Sequence, residues 1–375
     1  MLSAASERTE LDDYGDASFL EGLTTLVDAI NSEAGFTAAG ERRVEEFITH
    51  SLANRLDIEH FHKTHPGASE RGVKKPLFVF GLPRSGTTLA INLLNEDPAR
   101  RCLLRWEANN SVPPPTTQTL TTDPRCIREQ ALVDASVQHA PHISAIHHEN
   151  AHSPTECQFI MSQNFCAQYY EAIAAVPTYR AWWLQADYLP TFKYHKRLLQ
   201  VLQWQAPGRW TLKNPWHALY LDDLTAVYPD AQLVMTHRDP VKVIGSFCSL
   251  IKNVRAMFSD DIDTLAIGSD IINTFEQMYQ RTIDYRERNG WDSVYDLHYE
   301  NLTKDPVGEI HRLYAHFDEP CTPDAGRAMQ RYIDGNPKGK HGGHTYSLEE
   351  YGLDKQTIER RFLEYYARFN VSKES

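Results

Sequence analysis

The stretch that most constrains the fold is residues 77–88, which read LFVFGLPRSGTT. Its four leading apolar residues are typical of a buried parallel strand, and residues 89–94 continue as the first turns of a helix. Gly81 and Gly86 allow backbone angles that other residues avoid. Successive N–H groups of such a loop can turn inward and add to the positive end of the following helix. We therefore predict a phosphate loop with an anionic ligand.

This loop departs from the usual nucleotide-binding loop at one position. The spacing is that of G-x-x-x-x-G-K-[ST], but Thr87 and Thr88 follow Gly86 and no lysine precedes the hydroxyl. A cation appears three residues earlier, as Arg84. A mononucleotide kinase or GTPase needs the lysine and a metal ion held by the loop hydroxyl. The sequence thus indicates a phosphate loop that serves a different reaction.

The remaining chain alternates between strand and helix patterns. Strands are predicted at about 102–106, 210–213, 232–236 and 294–299, and helices at about 217–228, 240–253, 266–289 and 306–317. Such alternation predicts an α/β fold, a three-layer sandwich of the phosphate-loop type with a central parallel sheet. Ligands of such sheets bind beyond the carboxyl ends of the strands. Those predicted ends carry Gly81, Glu107, Lys213, Arg238 and Tyr299.

Two further regions flank or interrupt this alternation. Residues 1–74 form a predicted helical segment packed on the core, with amphipathic helices at 18–31 and 41–63. Residues 75–375 form the main domain, with a predicted substrate-binding insertion at about 108–205. Its first part, 108–150, reads as irregular. Residues 153–156, SPTE, predict a helix start, with helices to about 170 and from about 179 to 205.

Charge and composition exclude several classes of function. The formal net charge of −12 argues against broad nucleic-acid binding. Six cysteines without C-x-x-C spacing favour reduced, buried thiols. The polar N-terminus lacks the apolar core of a signal peptide, and no run reaches the length of a membrane span. We expect a cytoplasmic protein without an integral membrane segment, and the oligomeric state stays open.

Two later motifs also place chemistry at strand ends. Residues 235–246, MTHRDPVKVIGS, put Arg238 at a strand end and Ser246 eight residues later in a helix. Residues 299–306, YENLTKDP, put Tyr299 at another strand end. The order P-R-S-G-T-T, L-K-N-P, R-D-P-x5-S and Y-E-N-L resembles the sulfotransferases that use 3′-phosphoadenosine-5′-phosphosulfate (PAPS). The resemblance covers about residues 75–345 and hardly touches 108–205.

The resemblance implies PAPS as donor, no required metal, and a role for each matched residue. The loop residues hold the 5′-phosphosulfate; they are Arg84, Ser85, Gly86, Thr87 and Thr88. Arg238 and Ser246 then bind the 3′-phosphate, as an arginine offers paired donors and a hydroxyl adds a third. Tyr299 lies against the adenine, and Lys213 contacts the transferring group. The glycine-rich basic run 336–344, with Lys338 and Lys340, matches a phosphate-contacting loop loosely.

The general base is harder to assign from the sequence. Cytosolic sulfotransferases have a histidine two residues after the lysine, whereas Pro215 stands there in this chain. Tyrosylprotein sulfotransferases and their bacterial relatives use a glutamate after the phosphate-loop helix, and Glu107 matches it. A carboxylate whose pKa is raised by burial can take a proton from an acceptor hydroxyl. We expect Glu107 to be the base, with His217 or another histidine as the alternative.

Other functions stay open at this point. A phosphate-loop kinase or NTPase is disfavoured by the missing lysine. A zinc metalloprotease is suggested by H-E-x-x-H at His148 and His152, but a helix is predicted to begin directly after that motif. A nucleotide-binding scaffold without catalysis is disfavoured by Arg84 and Lys213. The acceptor is predicted to be a small molecule, lipid or glycoside with a hydroxyl or an amine, bound in a partly apolar pocket.

Overall fold

The structure, a computed structural model, describes residues 1–139, 149–337 and 346–374. Its strands are β1 (Leu77–Gly81), β2 (Arg100–Cys102), β3 (Arg209–Lys213), β4 (Gln232–His237) and β5 (Tyr295–His298). The first helices are α1 (Leu2–Thr9), α2 (Phe19–Glu33), α3 (Ala38–Thr64), α4 (Thr87–Asn95), α5 (Arg105–Asn109) and α6 (Pro124–His139). Then follow α7 (Gln158–Met161), α8 (Tyr169–Ile173), α9 (Pro177–Trp183), α10 (Leu189–Leu202), α11 (Leu221–Val227) and α12 (Pro240–Arg255). The last are α13 (Thr264–Asn289), α14 (Tyr299–Lys304), α15 (Pro306–His316), α16 (Pro323–Gly335), α17 (Lys355–Arg361) and α18 (Leu363–Arg368).

The strands described form one parallel sheet in the order β2-β3-β1-β4-β5. The phosphate-loop strand β1 lies at its centre, with Val79 opposite Lys213 on one side and Gly81 opposite Thr236 on the other. Every strand runs in the same direction, so all carboxyl ends meet at one edge. The predicted α/β fold with a central parallel sheet is confirmed.

Alternate residues of β1 face two separate helical layers. Leu77 and Val79 pack with α4, α15 and α16, while Phe78 and Phe80 join the larger core on the other face. All four side chains are fully buried. Burial on both faces explains the unbroken apolar run, because no residue of a covered central strand meets water.

The N-terminal helices pack into that larger core. Phe19, Leu26 and Leu52 are buried there, and Arg55 donates hydrogen bonds to the carbonyls of Tyr14 and Asp16. The amphipathic spacing of residues 18–31 and 41–63 matches helices α2 and α3. The division at residue 74 and the insertion at about 108–205 stay predictions. None of the helices in the described ranges combines the length and apolar composition that crossing a bilayer requires.

Three predictions of secondary structure were wrong. The strand predicted at 102–106 ends at Cys102, and helix α5 follows because the Glu107 carboxylate accepts a hydrogen bond from the backbone N–H of Leu104 (3.2 Å). The helix predicted from residue 153 begins only at Gln158. Before it, the N–H groups of Thr155 and Cys157 donate to the carbonyls of Leu103 and Lys213, 2.8 Å in both cases. That segment therefore follows the sheet edge. Third, residues 108–150 were predicted to be irregular, but they contain helix α6.

Candidate active site

The phosphate loop curls over the end of β1 because three of its residues take positive φ angles. These are Gly81 (138°), Arg84 (72°) and Gly86 (103°). Ser85 closes the loop: its hydroxyl contacts the Leu82 carbonyl and the Thr236 hydroxyl, both at 2.5 Å. Because Ser85 is fully buried, its side chain shapes the loop and does not face the cleft.

Gly86 is required by its neighbour as well as by its backbone angle. A Cβ atom at this position would lie 2.8 Å from the ring of Tyr299, which is closer than real Cβ contacts. Tyr299 begins α14 directly after β5, where it was predicted as a strand end. Its ring packs on the loop and lies under the guanidinium of Arg238, 4.2 Å away. The tyrosine thus connects two of the predicted phosphate-binding elements.

Arg84, Arg238 and Ser246 converge, as the motif order predicts. Arg84 Nε donates to Ser246 Oγ (3.2 Å), and Arg238 Nη1 lies 3.4 Å from the Arg84 carbonyl. Burial lowers the pKa of Arg84, and the charge of Arg238 lowers it further. The two cations therefore repel each other, and a bound polyanion would relieve this unfavourable interaction.

Arg84 and Arg238 line a cleft of about 460 Å³. One end is lined by phosphate-binding candidates: Arg84, Gly86, Thr87, Thr88, Arg238 and Tyr299. The other is lined by apolar side chains from three helices: Val133, Val137, Tyr169, Ile173, Phe247, Leu250, Ile251 and Val254. The first N–H groups of α4 have no partner within their helix and lie at the polar end. The cleft therefore joins an anion-binding end to an apolar one.

An acid that the sequence analysis did not single out lies in this cleft. Glu156 lines it, and its Oε1 accepts a hydrogen bond from Lys213 Nζ (2.7 Å). Gln158 Nε2 donates to its other oxygen (2.5 Å). The Lys213 side chain is only 1% exposed, which holds the ammonium beside the carboxylate. In the sequence, Glu156 belongs only to the predicted helix start at residues 153–156, and no spacing rule connects it to β3.

A second acidic group borders the cleft further along. Arg105 donates to Glu129 from Nε and to Glu149 from Nη1, both at 3.0 Å. Arg105 and Glu149 line the cleft, and both acids are largely buried. Because two carboxylates share one guanidinium, this cluster forms a polar wall that is formally one charge negative.

Glu107, the predicted general base, is enclosed in the protein. It is fully buried in α5, outside the residues that line the cleft. One carboxylate oxygen forms an ion pair with Arg101, and the other accepts from the Leu104 N–H. Burial raises the pKa of Glu107, as predicted. The assignment of Glu107 as the general base stays a prediction.

His217, the alternative base, is also enclosed. It is fully buried, it does not line the cleft, and neither ring nitrogen has a hydrogen-bond partner among the described residues. The rings of Phe78 and Phe192 lie 5.3 and 5.5 Å from it. Burial lowers the pKa of His217 well below its usual value, so it stays neutral inside the core.

Three predicted residues lie outside the described part of the chain. They are Lys338 and Lys340 of the basic loop and His148 of the H-E-x-x-H motif. The second histidine of that motif, His152, is exposed on a turn. In the described ranges, no group of three or more His, Cys, Asp or Glu side chains is arranged so that it could hold a metal ion.

This fold, with a phosphate loop and a second arginine at one sheet edge, defines a class of nucleotide-dependent transferase. A model of the sulfotransferase family matches residues 76–324, and the chain belongs to that family. The predicted family is confirmed, and it favours sulfuryl transfer over a kinase or a metalloprotease.

Relatives and solved structures agree with this assignment. The omega-hydroxy-beta-dihydromenaquinone-9 sulfotransferase Stf3 of Mycobacterium bovis and that of Mycobacterium tuberculosis are each 26% identical over 263 residues. These matches cover 64% of this chain and 62% of the relatives' length.

Two solved structures are similar over nearly the whole chain. Sulfotransferase STF9 from Mycobacterium avium is 33% identical with a TM-score of 0.93, covering 100% of this chain and 97% of that one. Sulfotransferase STF1 from Mycobacterium tuberculosis is 32% identical with a TM-score of 0.87, covering 97% of both chains.

The enclosed position of Glu107 predicts a structural role. Glu107→Gln leaves the buried Arg101 guanidinium without its counter-charge, so the free energy of unfolding should fall by about 3 kcal/mol. Turnover per folded molecule should change less than about threefold, because the side chain does not reach the cleft. Denaturant unfolding and sulfate-transfer rates on the same preparation measure both. Unchanged stability with a hundredfold loss of turnover would contradict the structural role and support Glu107 as the base.

The buried histidines predict an acid-sensitive core. Burial lowers the pKa of His195 to about 3 and that of His217 well below 6.5. As the pH falls below 6.5, the unfolded chain binds protons that the folded chain does not, so the free energy of unfolding decreases. His217→Leu should reduce this slope by up to about 1.4 kcal/mol per pH unit. Unfolding titrations between pH 7 and pH 4 test this, and an unchanged slope would contradict it.

Proposed function

We propose that the protein transfers the sulfuryl group of PAPS to a hydroxyl of an elongated apolar acceptor. The observation that carries this proposal is the pair of cationic groups in one cleft. Arg84 with the α4 N-terminus suits a 5′-phosphosulfate, and Arg238 with Ser246 suits a 3′-phosphate. A donor with a single phosphate chain would contact only one of these cations.

The reaction proposed is an in-line displacement at sulfur. The acceptor oxygen forms a bond to sulfur while the bond from sulfur to the 5′-phosphate oxygen breaks, giving a sulfate ester and adenosine 3′,5′-bisphosphate (PAP). By analogy with phosphoryl transfer, charge spreads over the transferred group and the leaving oxygen. Fixed cations and N–H groups stabilise that charge, which is the role proposed for Arg84, Lys213 and the amides of Gly86, Thr87 and Thr88. No step requires a metal ion.

We assign the general base to Glu156. Its carboxylate lines the cleft and accepts a hydrogen bond from Lys213 Nζ at 2.7 Å. Each carboxylate oxygen can accept more than one hydrogen bond. The contacts to Lys213 and Gln158 therefore leave a lone pair for the acceptor hydroxyl. When the acceptor attacks, its proton passes to Glu156 and the ammonium remains beside the transferring group.

The apolar end of the cleft supports an elongated acceptor. Phe247, Leu250, Ile251 and Val254 line it from one face of α12, directly after Ser246. Seven residues of helix extend about 10 Å from the first to the last of these side chains. The mycobacterial relatives act on an omega-hydroxy dihydromenaquinone, as their names state. A hydroxyl on an extended apolar body would reach Glu156 while its body lies along α12.

Glu156→Gln tests the base. The amide preserves size and hydrogen bonding but cannot accept the proton, so turnover should fall about 10²- to 10⁴-fold. PAP affinity should stay within about threefold, because the carboxylate is not assigned to the donor. Radiolabelled sulfate transfer and calorimetric PAP titration provide the two readings, with Glu107→Gln as the matched control. Turnover above a third of the wild-type value would exclude Glu156.

Val254→Trp tests the acceptor groove. With a series of primary n-alkanols, kcat/KM in the wild type should rise about fourfold for each added methylene until the groove is filled. The larger side chain should end that rise at a shorter alcohol and leave PAP binding unchanged. Leu132→Trp is the control, because this side chain is 67% exposed. Identical chain-length profiles for the wild type and Val254→Trp would contradict the groove.

A further inference from the structure

Arg238 already has an anionic partner within the chain. Its Nε donates to Glu374 Oε1 (2.8 Å) and its Nη2 to Glu374 Oε2 (3.0 Å). This is the two-point geometry in which an arginine also binds a phosphate. The side chains are 23% and 35% exposed, so the contact borders solvent and can exchange. Neither the sequence motifs nor the family resemblance predicted a role for Glu374.

The segment that carries Glu374 is fixed to the strand end that carries Arg238. The backbone N–H of Glu374 donates to Asp239 Oδ2 (2.8 Å), and the Tyr366 hydroxyl donates to Asp239 Oδ1 (2.5 Å). A third contact joins Tyr365 to His237, 3.1 Å from hydroxyl to ring nitrogen. These anchors keep the backbone of Glu374 near Arg238 even when the Glu374 carboxylate moves away from the guanidinium.

The carboxylate also compensates a local excess of positive charge. Arg84 and Arg238 lie close enough for the charge of one to lower the pKa of the other. Glu374 brings a negative charge to Arg238 when no nucleotide is present. A doubly phosphorylated donor supplies that compensation itself, and its 3′-phosphate would then lie near a like charge. The carboxylate and the 3′-phosphate therefore compete for one guanidinium.

We propose that Glu374 is an internal competitor of the donor: it occupies Arg238 in the free protein, and the 3′-phosphate replaces it. This inference rests on the proposed function, because it assumes that Arg238 binds the 3′-phosphate. The apparent Kd for the donor is then the intrinsic Kd divided by the fraction of molecules in which Arg238 is free. If Glu374 occupies the arginine nine-tenths of the time, the reduction is about tenfold.

Glu374→Gln tests the competition by calorimetric titration of PAP at low salt. The amide keeps the size of the side chain and removes its charge, so the Kd for PAP should fall about 5- to 10-fold. This gain should shrink as salt is added, because the contact is partly exposed. Glu364→Gln is the matched control: it removes one charge from the same segment, where the carboxylate pairs with Arg368. Its Kd should equal that of the wild type.

A second measurement follows the displacement of Glu374 from Arg238. Hydrogen exchange of residues 369–374 in the wild type should accelerate when PAP is added, because the carboxylate loses its partner. An unchanged Kd in Glu374→Gln would overturn the competition. Weaker binding would also overturn it and would make Glu374 a positioning residue for Arg238. If neither the wild type nor any variant binds PAP, the proposed donor itself fails, and this inference falls with it.

Discussion

The parallel pairing of β1 with β3 and β4 is the constraint on which the site depends. It puts Val79 beside Lys213 and Gly81 beside Thr236, so the loops after these strands open at one edge. The Thr236 hydroxyl then contacts Ser85 and fixes the phosphate loop. A shift by one residue would reverse which side chains of β1 face each helical layer. Burial on both faces therefore fixes the register, and the register brings the cations together.

Much of this arrangement could be predicted from the sequence because it depends on short-range patterns. A strand, a glycine-bounded loop and a helix are local features, and the carboxyl ends of parallel strands must meet. Arg84, Arg238 and Tyr299 are each fixed by a strand end within their own motif. Their convergence in one cleft follows from strand alternation alone, without knowledge of any contact between them.

The base proposed here, Glu156, could not be predicted in that way. Glu107 follows β2 closely in sequence, but it pairs with Arg101 and with the helix start after a very short edge strand. Glu156 reaches the same sheet edge after a long excursion through the insertion. Backbone hydrogen bonds from Thr155 to Leu103 and from Cys157 to Lys213 hold it there. Such long-range pairing has no signature in residue spacing. The same holds for Glu374, which meets Arg238 across 136 residues.

The central claim is that two separate cationic groups bind the two ends of one adenosine donor. The most direct test compares the affinity of the wild-type protein for PAP and for adenosine 5′-phosphate, which lacks the 3′-phosphate. The account predicts that PAP binds about 100-fold more tightly, as expected for two charge-assisted hydrogen bonds to Arg238. Equal affinity for the two nucleotides would contradict the account, because the 3′-phosphate would then have no site.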